Sequence, residues 1–307
     1  MHRCIQNTQS NEFLLQQRAF RLPRIAFEFD VQAVLVGVCG PFQAMRLRQW
    51  EKAMSYEKPL LGQNILVTGA SGGIGAAIVK RLVQEGAKPI IHFGRDKAGA
   101  ESLLAEVGGH GWIVQADLST PKGPFQLWRA AEAMAGRIHG LVNNAGIRTE
   151  ISIDADEEAW TEAWQRDFQV NFFSAASLCK EALRHFKTVG GGRIINLASR
   201  AGQRGYAADA MSYGATKAAL INLTKSISRS FGQDGVVAVA IAPGWVRTDM
   251  AEEFIAKHGK AAAVADIPIG EMAEPSDVAE LVAFTLRPSQ ASLSGATVDF
   301  NGGSYLR

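Results

Sequence analysis

The chain runs from an apolar stretch, Asn64-Ile-Leu-Val67, through the turn Thr68-Gly-Ala-Ser-Gly-Gly-Ile-Gly75. It then enters Ala76-Ala-Ile-Val-Lys-Arg-Leu-Val83, where apolar residues recur at helical spacing. A strand leading through glycines into a helix is a phosphate-binding device. The glycines let backbone approach an anion without Cβ clashes, and the helix N-terminus presents free N–H groups at the positive end of its dipole. Such a unit belongs to doubly wound α/β folds that hold the pyrophosphate of a dinucleotide. The spacing Gly69-x-x-x-Gly73-x-Gly75 is one residue longer between its first two glycines than the common G-x-G-x-x-G. Taken alone, it is also compatible with an ordinary tight turn.

The remainder alternates strand and helix, which implies one parallel sheet. Strands are expected at Lys88–Phe93, Trp112–Gln115, Ile138–Val142, Arg193–Ala198, Val236–Ile241 and Thr297–Phe300. Helices are expected at Ala98–Val107, Phe125–Ala135, Asp156–Phe186, from Tyr213 through Ile227, and from Glu274. Residues 250–270, Ala-rich with a Gly-Lys break, suit a lid. Trp160, Trp164, Phe168 and Phe172 are spaced by four, as in a core or subunit-contact stripe. The expected architecture is a single Rossmann-type domain over 54–307, with an extension over 1–53. The extension reads as poorly ordered, or as lying upstream of a true start at Met54. Its Arg3, Arg18, Arg21 and Arg24 against Glu12 hint only weakly at a targeting peptide.

A formal net charge of +2 over 307 residues does not call for a nucleic-acid partner. No apolar run is long enough to span a bilayer. Cys4, Cys39 and Cys179 have neither metal-ligand nor disulfide-framework spacing, so a reducing, cytoplasmic setting and no metal are expected.

Candidate chemistry lies at the carboxyl ends of the strands. Arg95, after the second strand, offers a planar donor fork suited to a ribose 2′-phosphate, which favours NADP over NAD. Asp96 beside it argues the other way, and Arg95 can also be read as a solvated loop residue. Asp117 follows the third strand, where it could meet an adenine or cap the next helix. Ser199 ends the fifth strand. Tyr213 and Lys217, four apart, share one helix face. A phenol titrates near pH 10, and a neighbouring ammonium is expected to lower that value so that Tyr213 can hand a proton to a carbonyl oxygen. Ser199 could hold that oxygen, and Asn171, unfavourable inside a helix, could hold a water linking Lys217 to solvent.

Together these residues resemble the short-chain dehydrogenase/reductase family, and within it the 3-oxoacyl-[acyl-carrier-protein] reductases. The resemblance runs from about Leu60 to Tyr305. It is carried by Thr68-Gly69…Gly73-Ile-Gly75, Asp117, Asn143-Asn-Ala-Gly146, Asn171, Ser199, Tyr213…Lys217 and Pro243-Gly244…Thr248. It implies a catalytic tetrad of Asn171, Ser199, Tyr213 and Lys217. It implies cofactor contacts from Gly69, Ser71, Gly73, Ile74, Gly75, Asn144, Ala145, Gly146, Tyr213, Lys217, Pro243 and Gly244. Asp117 and Leu118 would lie near the adenine, and Val246 and Thr248 near the nicotinamide. It also implies a homotetramer or dimer built on the helices carrying Asn171 and Tyr213.

The interval from Ser199 to Tyr213 is one residue longer than the family pattern and carries Arg200, Arg204, Tyr206 and Asp209. That polarity suits a small polar ketone, sugar or polyol as an alternative to a 3-oxoacyl thioester. Lys180, Arg184, His185, Lys187 and Arg193 form a sequence cluster that could dock an acidic acyl carrier protein, or simply solvate a helix end. A catalytically idle dinucleotide-binding sensor is the reading from another class.

Overall fold

The structure is a computed structural model that describes residues 58–307. The expectations for residues 1–53 and for a start at Met54 lie outside these residues. Seven parallel strands form one sheet: β1 (Asn64–Val67), β2 (Lys88–Phe93), β3 (Trp112–Gln115), β4 (Gly140–Asn143), β5 (Gly192–Leu197), β6 (Val236–Pro243) and β7 (Thr297–Phe300). Their order is β3-β2-β1-β4-β5-β6-β7. The strand order reverses between β1 and β4, and a crevice opens there at the carboxyl ends.

The helices are α1 (Gly73–Gln84), α2 (Lys97–Glu106), α3 (Gly123–Ala135), α4 (Glu157–Phe168), α5 (Ser174–Val189), α6 (Ala201–Arg204), α7 (Met211–Phe231), α8 (Asp249–His258), α9 (Lys260–Val264) and α10 (Pro275–Leu286). Side chains alternate across the sheet with a period of two. Ile65 and Val67 join one core with Ile78 and Leu82 of α1 and Val278 and Val282 of α10. Leu66 joins the other with Leu127 and Trp128 of α3, Leu178 and Phe186 of α5, and Ile227 of α7. Burial on both faces explains why these strands are short continuous apolar runs. Glu85, buried at the end of α1, is clasped by Arg81 and, through two hydrogen bonds of 2.6 and 3.0 Å, by Arg287 beyond α10.

Two elements depart from expectation. β4 begins at Gly140, because Ile138 gives its N–H to the His185 ring instead of a neighbouring strand. The stretch expected as one helix from Asp156 is two α-helices joined by a π-helical turn, Gln169–Phe173. Asp156 is its N-cap, accepting from Ala159 N at 2.8 Å. The wider turn re-aims one side chain, that of Asn171. Residues 249–264 fold as α8 and α9, broken at Gly259 with φ of +84°. Together with Ile267 and Met272 they make their own small apolar cluster.

Candidate active site

The turn after β1 is built by its neighbours as much as by its glycines. Thr68 is buried, and its hydroxyl accepts from Asn144 N and Ala145 N at 2.9 and 3.0 Å. The Asn144 amide returns two bonds, to Thr68 O and Gly69 O. Gly69 takes φ of +60°, and a Cβ there would stand 2.9 Å from Ala145 Cα. No side chain caps α1, so its first N–H groups face the crevice unsatisfied. A cradle of this kind fits the pyrophosphate of a dinucleotide.

His92, in β2, was not singled out from sequence. It is buried, its Nδ1 accepts from Gly69 N at 3.0 Å, and its Nε2 lies 3.1 Å from Ala116 O. Only the neutral ring with hydrogen on Nε2 satisfies both partners. Burial lowers its pKa from 6.5 to about 4, against a smaller upward pull from Ala116. The unfolded chain therefore binds an extra proton between those values, and stability falls as pH drops from 6.5 towards 4. The expected loss is on the order of 3 kcal/mol. Urea midpoints across that range should show it, and His92→Gln, which can keep both bonds without titrating, should lack it. A single histidine in an apolar strand just before a ligand-binding loop was the only sequence signal.

The crevice is a cavity of about 650 Å³. Gly69, Ser71, Gly73, Ile74, Asn144, Ala145 and Gly146 line it on the β1–β4 side. Arg95, Asp117 and Leu118 line its β2–β3 end, and Pro243, Gly244, Val246 and Thr248 come from the β6 end. Ser199, Tyr213 and Lys217 complete it. Gly75 and Asn171 do not reach the cavity and act from behind it.

Asp96 is occupied elsewhere, since its Oδ1 caps α2 by accepting from Gly99 N at 2.9 Å. Arg95 is exposed and makes no ion pair among the described residues. Asp117 accepts from the hydroxyl and N–H of Ser119, bonds that hold its carboxyl below the usual range, with Arg95 adding a smaller pull. It stabilises its own turn and does not cap α3, whose N-cap is Lys122.

Around the reactive end, Asn171 is fully engaged inside the protein. Its Oδ1 accepts from Ile147 N at 2.8 Å, and its Nδ2 donates to Ile147 O and to Thr216 Oγ1. It thereby pins the strand end that carries Gly146. Lys217 Nζ donates to Leu197 O at 2.7 Å and lies 5.6 Å from the Tyr213 ring centroid. Burial lowers the Lys217 pKa to about 8. Tyr213 departs from expectation. Burial pushes its phenol up to about 12, and the Ser199 hydroxyl and Arg148 offset this only in part. Desolvation of a phenolate outweighs the Ser199 bond and the Arg148 charge together.

Asp167 is a second residue that sequence reasoning missed. It is fully buried at the end of α4, accepting from Thr149 Oγ1 at 2.7 Å and Ser212 Oγ at 2.6 Å. It ties the loop after β4 to the first turn of α7, one residue before Tyr213. An acid on the aromatic helix was the available clue.

The basic sequence cluster assembles only in part. His185 Nε2 accepts from Ile138 N and its Nδ1 meets Glu132 Oε1 at 2.8 Å, while Arg193 donates to Thr285 O and Pro288 O. Lys187 pairs with Asp234. Lys180, Arg184 and Lys187 stay exposed and line one groove between α5 and α7. Strand and helix geometry sends neighbours in sequence to different partners.

This arrangement has counterparts. Residues 63–259 match the short chain dehydrogenase family. The chain is 35% identical over 248 residues to the 3-oxoacyl-[acyl-carrier-protein] reductase FabG of Vibrio cholerae, covering 80% of this chain and 99% of that one. It is 32% identical to the FabG of Escherichia coli, with 80% and 98% covered. A crystal structure of a 3-ketoacyl-(acyl-carrier-protein) reductase from Brucella melitensis complexed with NADH superposes with a TM-score of 0.73 at 30% identity, covering 80% of this chain and all of that one. On shared sequence, shared length and shared fold, the chain belongs to the short chain dehydrogenase family and is an oxidoreductase of the CH–OH/C=O class.

Proposed function

We propose that the protein is an NADP-dependent oxidoreductase in which Tyr213 exchanges a proton with the substrate oxygen, assisted by Ser199 and Lys217. The observation that carries this reading is that Ser199, Tyr213 and Lys217 line the same cavity as the uncapped N-terminus of α1. The cofactor supplies or accepts the hydride when bound. Tyr213 keeps its proton at neutral pH, and Lys217 Nζ, 5.6 Å from its ring centroid, is the ammonium that would steady the phenolate proton transfer leaves behind. Asn171 acts by positioning Ile147 and Gly146.

NADP is favoured by Arg95, which has no competing ion pair among the described residues and lines the cavity end beyond β2, while Asp96 is spent on α2. Arg95→Gln should raise KM for NADPH by on the order of 10-fold and leave KM for NADH nearly unchanged. Equal effects on both would overturn the NADP assignment.

Two substrate classes remain in play for named reasons. A 3-oxoacyl thioester, delivered by an acyl carrier protein, is favoured by the activity in the names of the relatives. A small polar ketone, sugar or polyol is favoured by Arg148, Arg200 and Tyr206 around the reactive end. Parallel assays of acetoacetyl thioester, small ketones and sugars with NADPH and NADH decide between them. A protein that binds cofactor yet turns over none of these would be the idle sensor.

A homotetramer or dimer is supported by the stack of Trp160, Trp164, Phe168, Phe172 and Phe173. Successive rings lie 5.6 to 6.4 Å apart, and Phe173 is 50% exposed. A cytoplasmic setting accords with Cys179, a buried free thiol. No helix among the described residues is long and apolar enough to cross a membrane.

A further inference from the structure

Asp167 does not line the cavity, yet it is a fully buried acid that belongs to no ion pair among the described residues. Both of its oxygens are taken by neutral donors. Oδ1 accepts from Thr149 Oγ1 at 2.7 Å. Oδ2 accepts from Ser212 Oγ at 2.6 Å and, at a longer 3.5 Å, from Thr149 N. Burying a carboxylate without a cation is costly, and an apolar side chain would fill the same space without that cost. Ser212 lies in the first turn of α7, so the acid stands at the positive end of that helix dipole, which offsets part of its burial.

Tyr213 is the next residue after Ser212. No side chain caps α7, and helix ends fray, so the placement of Tyr213 depends on what holds this first turn. Asp167 holds it against the loop after β4. Asn171 grips the same loop at Ile147, and Asp167 grips it two residues on, at Thr149. Ile151 N donates to Asp209 O at 2.7 Å, which fastens the loop to the segment just ahead of α7. Gly146 and Ile147, at the start of that loop, line the cavity together with Tyr213. The phenol senses the acid as well. Burial is the chief cause of its raised pKa, Tyr206 and the Asp167 charge add to it, and the Ser199 bond and Arg148 oppose it. A proton donor must lie within hydrogen-bond reach of the oxygen it serves, and a displacement of about 1 Å costs on the order of 100-fold in rate.

We propose that Asp167 is a positioning residue for the reaction: by holding Ser212 and Thr149 at once, it sets the Tyr213 hydroxyl against the cavity wall formed by the loop after β4. This rests on the reading of Tyr213 as proton donor and extends the machinery to a residue outside the cavity.

The test measures kcat and NADPH binding in wild type, Asp167→Ala, Asp167→Asn, Ser212→Ala and the double variant Asp167→Ala with Ser212→Ala. The substrate is whichever ketone or thioester of the parallel assays wild type reduces best. Asp167→Ala should lower kcat by on the order of 10- to 100-fold and leave the Kd for NADPH within about 2-fold. Asp167→Asn can accept from Thr149 and donate to Ser212, and should recover most of the loss. Ser212→Ala should lower kcat by itself, and the double variant should be no slower than Asp167→Ala, because both changes break one tie. Losses that multiply in the double variant overturn the proposal, as does an Asp167→Asn enzyme as slow as Asp167→Ala. Equal falls in kcat and NADPH affinity also overturn it, since Asp167 would then serve only the fold. Should Asp167→Ala fail to fold, Ser212→Ala decides: a lower kcat with NADPH binding kept supports the tie, and an unchanged kcat overturns it. If wild type reduces no ketone or thioester, the proposed function fails instead, and amide hydrogen exchange decides the tie. Faster exchange in Ser212→Ala at residues 147–151 and at the start of α7, with β5 unchanged, supports it, and unchanged exchange there overturns it.

Discussion

Tyr213→Phe should lower kcat for carbonyl reduction by on the order of 1,000-fold, with cofactor binding little changed. The phenol has a pKa near 12 in this pocket, so it holds its proton throughout the physiological range. That suits a donor in the reductive direction and makes the resulting phenolate costly. Lys217 is positioned to offset that cost while it is charged, and its pKa is about 8. Reduction should therefore slow as pH rises through about 8, where the ammonium is lost. Lys217→Met should be slow at every pH and should lack that descending limb. Stopped-flow traces of NADPH oxidation from pH 6 to 10 would read both effects. A Tyr213→Phe enzyme retaining a tenth of the wild-type rate would remove Tyr213 from the chemistry.

Gly75→Ala should weaken cofactor binding by more than about 100-fold and lower the melting temperature. A Cβ at this position would overlap the Gly69 carbonyl oxygen and stand 2.8 Å from Ala70 Cα and Asn144 Nδ2. All three belong to the turn itself or to the amide that braces it. None is the free end of a flexible side chain, so relief requires the turn to open. Overpacking of this kind costs roughly 1–3 kcal/mol of stability. Its larger effect is on binding, because the first N–H groups of α1 shift with the turn. Fluorescence titration of NADPH would measure it. Gly232→Ala is the natural control, since a Cβ there meets nothing within 4 Å and the residue does not line the cavity.

The fold was largely legible before any coordinates. The apolar runs at β1, β2, β3 and β7 were bounded by turn residues, and burial on both sheet faces left no competing pattern. Errors arose where tertiary partners override local preference. Ile138 looks like strand, yet its N–H belongs to His185. Gln169 to Phe173 look like ordinary helix, yet widen so that the Asn171 amide can bind the backbone of Ile147. The cluster from Lys180 to Arg193 looks like a single surface, yet only Lys180, Arg184 and Lys187 share a groove, while His185 and Arg193 turn to partners inside the protein.

The candidate site divides in the same way. Gly69, Gly73 and Gly75 before a helix, and Tyr213 four residues before Lys217, were visible because their geometry is local: a turn conformation and one helix face. His92 and Asp167 were not, because their partners Gly69, Thr149 and Ser212 come from other elements. The pKa of Tyr213 was misjudged for a related reason. A neighbouring charge can be inferred from spacing, whereas desolvation depends on everything packed around the group. Sequence alone therefore determined the parallel α/β architecture and the placing of Tyr213 and Lys217 on one helix face, since both follow from short-range periodicity. Only the tertiary structure decided which polar groups are spent on one another, like Asp96 on α2, and which, like Arg95, make no ion pair among the described residues. That accounting depends on distances between residues far apart in the chain.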